Sequence, residues 1–216
     1  MRITANMAIL ALVAIPCYPE ERQNAKRSIT VYVDSRAEVP DERLSDAEFM
    51  ASRMFERAGV SVRWRKPTKK HEREQIITVA ITSNTPRKFH PGALGYADPY
   101  AGQLKGVHIR IFFDRVESFA TGLPRSSPFA GRLVPSLLGH VLVHEIIHIL
   151  EGSDHHSDEG VMKRHWTTED LYQMSYRTLP FDPLDVELIQ RGLAKSRPSY
   201  ICPAWKPQRC RTCFGK

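Results

Sequence analysis

The chain has 216 residues, 42% of them hydrophobic, with 31 Lys and Arg against 24 Asp and Glu. That length supports one domain with a proper core and is short for two, and without a repeat or a low-complexity tract it excludes solenoid and disordered classes. The net charge of +7 is dispersed through KRS, RWRKPTKKHER, PRKFH and KPQRCRTCFGK, with no zinc-finger or RNP signature, so it reads as a basic solvated surface and no nucleic acid is expected.

The N-terminus, MRITANMAILALVAIPCYPEERQ, has one Arg and then an apolar stretch from Met7 to Pro16, the outline of a short secretory signal peptide over residues 1–16. A secreted, periplasmic or cell-envelope destination follows. Ala11 and Ala14 stand three apart, so no A-x-A pair forms and the cleavage site stays open. Cys17 would suit a lipid anchor, but Pro16 occupies a place where lipidation motifs want a small residue, which disfavours that reading. No apolar run reads as long enough for a stable membrane span.

Ser28 to Asp34, SITVYVD, alternates β-branched and aromatic residues and predicts a strand. Leu44, Ala47, Met50, Ala51, Met54 and Ala58 then share one helical face, with Gly59 as the stop, and VSVRWR from Val60 predicts a second strand. Such a unit is a parallel crossover. Glu74 to Ser83 and Gly106 to Asp114 predict two more strands, separated by a Pro/Gly/Tyr-rich loop, PGALGYADPYAGQLKG, expected to lie over a cleft. Leu133 to Glu151 predicts a long helix with Pro135 in its first turn and Gly152 at its left-handed stop. A second helix follows Thr167 or Thr168, and a third starts at FDPLD, where Asp182 can cap, Pro183 fits the first helical position and Asp185 lies three residues beyond the cap. The fold class expected is α+β, a domain over residues 28–196 with a mixed sheet, one long helix and C-terminal helices. A basic tail, 197–216, carries Cys202, Cys210 and Cys213; with Cys17 these allow two disulfides, and the CxxC with Cys202 upstream lacks a fourth ligand for a zinc knot.

The long helix holds the chemistry. His144 and His148 are four residues apart, which on a helix sets them about 40° apart around the axis and ~6 Å along it, close enough for two imidazoles to reach one ion. Glu145, on the adjacent flank, is placed to touch a water on that ion without binding the ion itself. This is the HExxH zinc motif. A catalytic zinc usually takes three protein ligands and a water, and His155 and His156 are the candidates for the third. His140 repeats the spacing, but three histidines in a column spread over about 12 Å of axis, so it reads as a residue lining the cleft or supporting the ligands. Asp154, Asp158 and Glu159 can orient ligand imidazoles or simply be solvated loop carboxylates.

HEIIHILEG departs from the metzincin pattern HExxHxxGxxH by one extra residue before the Gly. The chain is more similar to a set of little-characterised bacterial zinc proteases with HExxHxLLGxxxHSxxGxM: His144, Glu145, His148, Leu150, Gly152, His156, Ser157, Gly160 and Met162 match, Trp166 follows, and Glu151 departs from the second Leu. The resemblance extends over most of residues 28 to 195. It implies a zincin-like twisted mixed sheet with a zinc-binding active-site helix, His156 as the third ligand with His155 as the alternative, and Met162 as a compressed Met-turn, for which a plain core Met is the equal alternative. It implies a zinc-dependent endopeptidase acting on a peptide or protein substrate, with Glu145 as general base, and with GVHIRIFFD as the edge strand on which an extended substrate pairs. His165, Tyr172 and Tyr176 are candidates to stabilise the oxyanion. Two other readings stay open: a catalytically silent zinc-binding domain that recognises an envelope or protein partner, and a basic envelope or nucleic-acid-binding protein with an incidental motif.

Overall fold

A computed structural model describes residues 27–67, 76–99, 108–121 and 130–195. The proposed signal segment and the cysteine-containing tail lie outside the described residues, as do all four cysteines. Alternation makes the first strand: β1 (Arg27–Ser35) turns Ile29, Val31 and Val33 inward. α1 (Asp41–Arg57) buries Ala47, Ala51, Met54 and Phe55 against the same core, and β2 (Val60–Arg65) returns parallel to β1. The expected crossover is therefore present.

β3 (Ile76–Thr82), β4 (Gly95–Ala97) and β5 (Ile109–Phe112) complete a five-stranded mixed sheet in the order β2-β1-β3-β5-β4. Only β4 runs antiparallel, pairing Gly95 with Ile111 and Ala97 with Ile109. This corrects two expectations. Part of the Pro/Gly-rich stretch taken as loop is a strand, three residues long, too short to show a period. It also displaces GVHIRIFFD from the edge: β5 is paired on both sides, so its backbone groups are already used. The alternation through Phe113 concealed a second change, because the chain leaves β5 directly into α2 (Phe113–Thr121), whose Phe113, Val116 and Ala120 are buried at helical spacing.

α3 (Ala130–Glu151) lies across the inner face, in contact with α1, α2, α4 (Thr168–Met174), α5 (Pro183–Lys195), β4 and β5. It begins a turn earlier than expected, so Pro135 falls inside the helix rather than in its first turn. By length and composition α3 is apolar enough to cross a membrane, contrary to the expectation from sequence, yet Leu137, Leu138, Leu142, Val143, Ile146 and Ile147 are fully buried in the core. A helix surrounded by other elements is apolar on every side. The two C-terminal helices carry their caps. Thr167 and Asp170 form a reciprocal capping box on α4. On α5 the Asp182 carboxylate accepts from Leu184 N at 2.8 Å while Asp185 accepts from Asp182 N at 2.9 Å.

His140 is a structural tie rather than a cleft-lining residue. It is fully buried; Nδ1 donates to the Ser136 carbonyl at 2.7 Å and Nε2 accepts from Leu179 N at 3.0 Å, joining α3 to the segment before α5. Both ring nitrogens are used, so the neutral ring fits and a proton does not. Burial lowers its pKa to about 4. Between pH 6.5 and 4 the unfolded chain binds a proton here that the folded chain refuses, so the stability contributed above pH 6.5 is lost as pH falls through that window. His140→Ala should lower stability at pH 7.5 by roughly 2–4 kcal/mol, from the cavity and an unpaired Leu179 N–H. Urea denaturation at a series of pH values should show the gap to wild type narrowing toward pH 4.

Candidate metal centre

The site forms where α3 ends and the chain doubles back over it. Gly152 adopts φ of 66°, its N–H bonds the His148 carbonyl at 3.0 Å, and Ser153 N reaches the same carbonyl. A left-handed residue at this point reverses the chain at low steric cost. The returning loop brings His156 beside the two helical histidines: ring centroids are 4.8 Å apart for His144 and His148, 5.2 Å for His144 and His156, and 4.9 Å for His148 and His156. One nitrogen from each of the three lies within 4.8 Å of the others.

Hydrogen bonding fixes how two of these rings are presented. His144 Nδ1 meets the Val161 carbonyl at 2.9 Å and His148 Nδ1 meets the Ser153 carbonyl at 3.1 Å. A carbonyl only accepts, so each Nδ1 carries the hydrogen and each Nε2 presents a lone pair. The two Nε2 atoms stand 3.1 Å apart. Burial, reinforced by the neighbouring imidazoles, holds His144 to a pKa of about 3 and His148 to about 4, so near neutral pH no proton bridges them. Burial also lowers His156, whose Nδ1 is buried without a hydrogen-bond partner. Convergent imidazole lone pairs backed by carbonyls fit a divalent transition-metal ion of borderline softness.

His155 stands outside this group of three. Its Nε2 is 3.9 Å from Asp185 Oδ1, a buried oxygen that also accepts from Ser157 Oγ at 2.6 Å. Asp185 thus clamps the loop to the start of α5. Sequence reasoning saw Asp185 as a capping residue and missed this second task, because nothing local relates it to Ser157. The carbonyls of Val161 and Ser153 were also missed, since any residue type supplies one. Asp154, Asp158 and Glu159 are exposed loop residues. Glu151 is pushed up to about 7, by burial first and then by the Asp185 charge, against a hydrogen bond from Ser153. Met162 is fully buried in the core, and its carbonyl accepts from Ser157 N at 3.0 Å.

Glu145 leaves the helix toward β4. It is 7% exposed, and burial pushes its carboxyl up to about 8 against a hydrogen bond from the Ala97 backbone. A cation beside it would favour the carboxylate and draw that value down. Gly95 makes room: a Cβ there would lie 2.7 Å from Glu145 Oε1 and 2.9 Å from its Cγ. Of the oxyanion candidates, His165 is exposed, and Tyr172 and Tyr176 are half exposed and packed on each other with centroids 5.4 Å apart. Trp166, noticed in the sequence without a role, stands edge-on to His144 at 5.6 Å.

No protein-family model matches the chain, and no curated protein matches it. Among solved structures the chain is similar to the archaemetzincin of Methanopyrus kandleri, at 16% identity and a TM-score of 0.49, over 80% of this chain and 98% of that one.

The contact over Glu145 is open to a direct check. Gly95→Ala should cost about 1–3 kcal/mol in urea denaturation through overpacking. Gly92→Ala, whose Cβ would meet only the His90 ring at 3.6 Å, should be close to neutral.

Proposed function

We propose that this chain is a zinc-dependent metalloendopeptidase, with His144, His148 and His156 as the metal ligands and Glu145 as general base. The observation that carries the reading is the pair of Nε2 atoms facing each other at 3.1 Å, each ring fixed by its own backbone carbonyl, near the end of a mostly apolar helix. Facing lone pairs in a buried site are unfavourable until a cation lies between them. When bound, the zinc ion supplies Lewis acidity, bringing the pKa of its water toward about 7 and polarising a substrate carbonyl.

The chain's own groups do the rest. Glu145 takes the proton of the attacking water on its carboxylate and delivers it to the leaving amine nitrogen. The Ala97 N–H holds that carboxylate in place, and Gly95 gives it room. Among the described residues β4 is paired on one side only, so the extended peptide lies along β4 rather than along β5, bonded through main-chain groups and passing over Glu145. The site takes peptide bonds in extended segments of a peptide or protein. Export is part of the same reading and rests on the N-terminal sequence alone.

A catalytically silent zinc-binding domain is the alternative. The carboxylate buried beside the histidines favours the enzyme, since a silent site has no need for it.

Dialysed protein should hold about one zinc per chain by elemental analysis. His156→Ala should lose it and His155→Ala keep it; equal loss from both would overturn the choice of ligand. Glu145→Gln should keep the zinc and lower cleavage of a peptide library at least a hundredfold. Zinc without cleavage by the wild type would favour the silent domain.

A further inference from the structure

An extended peptide along β4 meets two faces of that strand. Phe112 N donates to the Leu94 carbonyl at 2.9 Å and Asp98 N to the His108 carbonyl at 2.9 Å, with Tyr96 opposite Arg110 midway between them. An antiparallel ladder alternates, so Leu94, Tyr96 and Asp98 turn their backbone groups toward β5, while Gly95 and Ala97 turn theirs to the open edge. The Ala97 N–H is bonded to Glu145. The Gly95 N–H and C=O and the Ala97 carbonyl remain for an added strand.

Side chains alternate between the two faces of the sheet. Gly95 and Ala97 face inward: a Cβ on Gly95 would meet Glu145, and Ala97 belongs to the core. Tyr96 therefore points to the outer face, and it is 48% exposed. Its ring lies against Phe89, with centroids 5.4 Å apart and planes at 51°, and Phe89 lies against the buried Phe112 at 4.8 Å. Cations cover the other two rings of this row: Lys88 Nζ stands 5.3 Å from the Phe89 centroid and Arg115 Cζ 5.4 Å from that of Phe112. Arg115 also donates to the Ala93 carbonyl at 2.8 Å, which anchors the row to the segment before β4. Tyr96 is the open end of the row, and it stands on the edge strand.

An added strand sends alternate side chains to this same outer face. In an antiparallel pairing the residue level with Tyr96 shares no backbone bonds with it, which is the closer kind of pair, with Cα atoms about 4.5 Å apart. A ring at that position extends the row by one member and covers exposed Tyr96 surface; a methyl group does neither. We propose that Tyr96 determines specificity, selecting peptides that carry an aromatic side chain at the position facing it on the outer side of β4. This inference rests on the peptidase reading given above and assigns its substrate class: extended segments with an aromatic residue close to the bond cut, since Glu145 lies against Gly95 and bonds Ala97, the two neighbours of Tyr96.

The test uses the full chain loaded with zinc and a set of capped octapeptides of Thr and Ala in which a single Phe moves along the sequence. Cleavage is followed by mass spectrometry, and binding of the same peptides, end-labelled, by fluorescence anisotropy in the Glu145→Gln background. At one position relative to the cut, Phe should be favoured over Ala by about three- to tenfold, both in kcat/KM and in affinity. Tyr96→Phe keeps the ring and should keep the ratio. Tyr96→Ala and Tyr96→Leu should each bring it to within about twofold of one, with zinc still at one per chain; the Leu variant preserves apolar bulk at the edge should Ala disturb the fold. A ratio unchanged in the Ala and Leu variants overturns the assignment, and so does a wild type indifferent to Phe at every position. Failure of the peptidase reading looks different: wild type would hold no zinc, or would cleave none of the peptides. The binding ratio and its loss in Tyr96→Leu then still decide for or against Tyr96.

Discussion

Two imidazole nitrogens held 3.1 Å apart inside a protein are the constraint around which this molecule is arranged. The helix places them there, since a four-residue step brings two side chains to the same face one turn apart. Carbonyls behind both rings settle the tautomer, and those come from the loop after the helix, at Ser153 and Val161. The loop must therefore return over the helix end. Gly152 reverses it and Asp185 pins it to α5 through Ser157.

The same helix shows how a single hydrogen bond separates a structural histidine from a candidate ligand. His140, His144 and His148 stand in one column, and each gives its Nδ1 hydrogen to a backbone carbonyl. They differ at Nε2. On His140 that atom is filled by the Leu179 N–H, which closes the ring as a tie between elements. On the other two it meets no backbone donor, and the two Nε2 atoms face each other at 3.1 Å. The surrounding apolar side chains raise the cost of burying such nitrogens without a partner. An ion bound only by the folded chain would stabilise it further by mass action.

Burial tunes Glu145 as well. Its apolar surroundings push the carboxyl up to about 8. The hydrogen bond from the Ala97 N–H opposes this. β4 and this carboxylate are thereby coupled, since β4 supplies both the N–H that bonds it and the room at Gly95 beside it.

The sequence by itself determined what depends on neighbours along the chain. The crossover of β1, α1 and β2 followed from a period that changes from two to helical and back, the His144, Glu145 and His148 set from spacing on a helix, and the start of α5 from Asp182, Pro183 and Asp185. The tertiary structure alone decided what depends on distant partners. The strand at Gly95–Ala97 exists because β5 pairs with it, the loop carrying His156, which the resemblance had already favoured over His155, is clamped by Asp185 through Ser157, and His140 is closed because Leu179 arrives from 39 residues away. Two of the three rest on backbone N–H and C=O groups, which are the same in every residue, and the third on a side-chain pair, Ser157 and Asp185, 28 residues apart; bonds between partners so distant leave no mark in the local order of side chains.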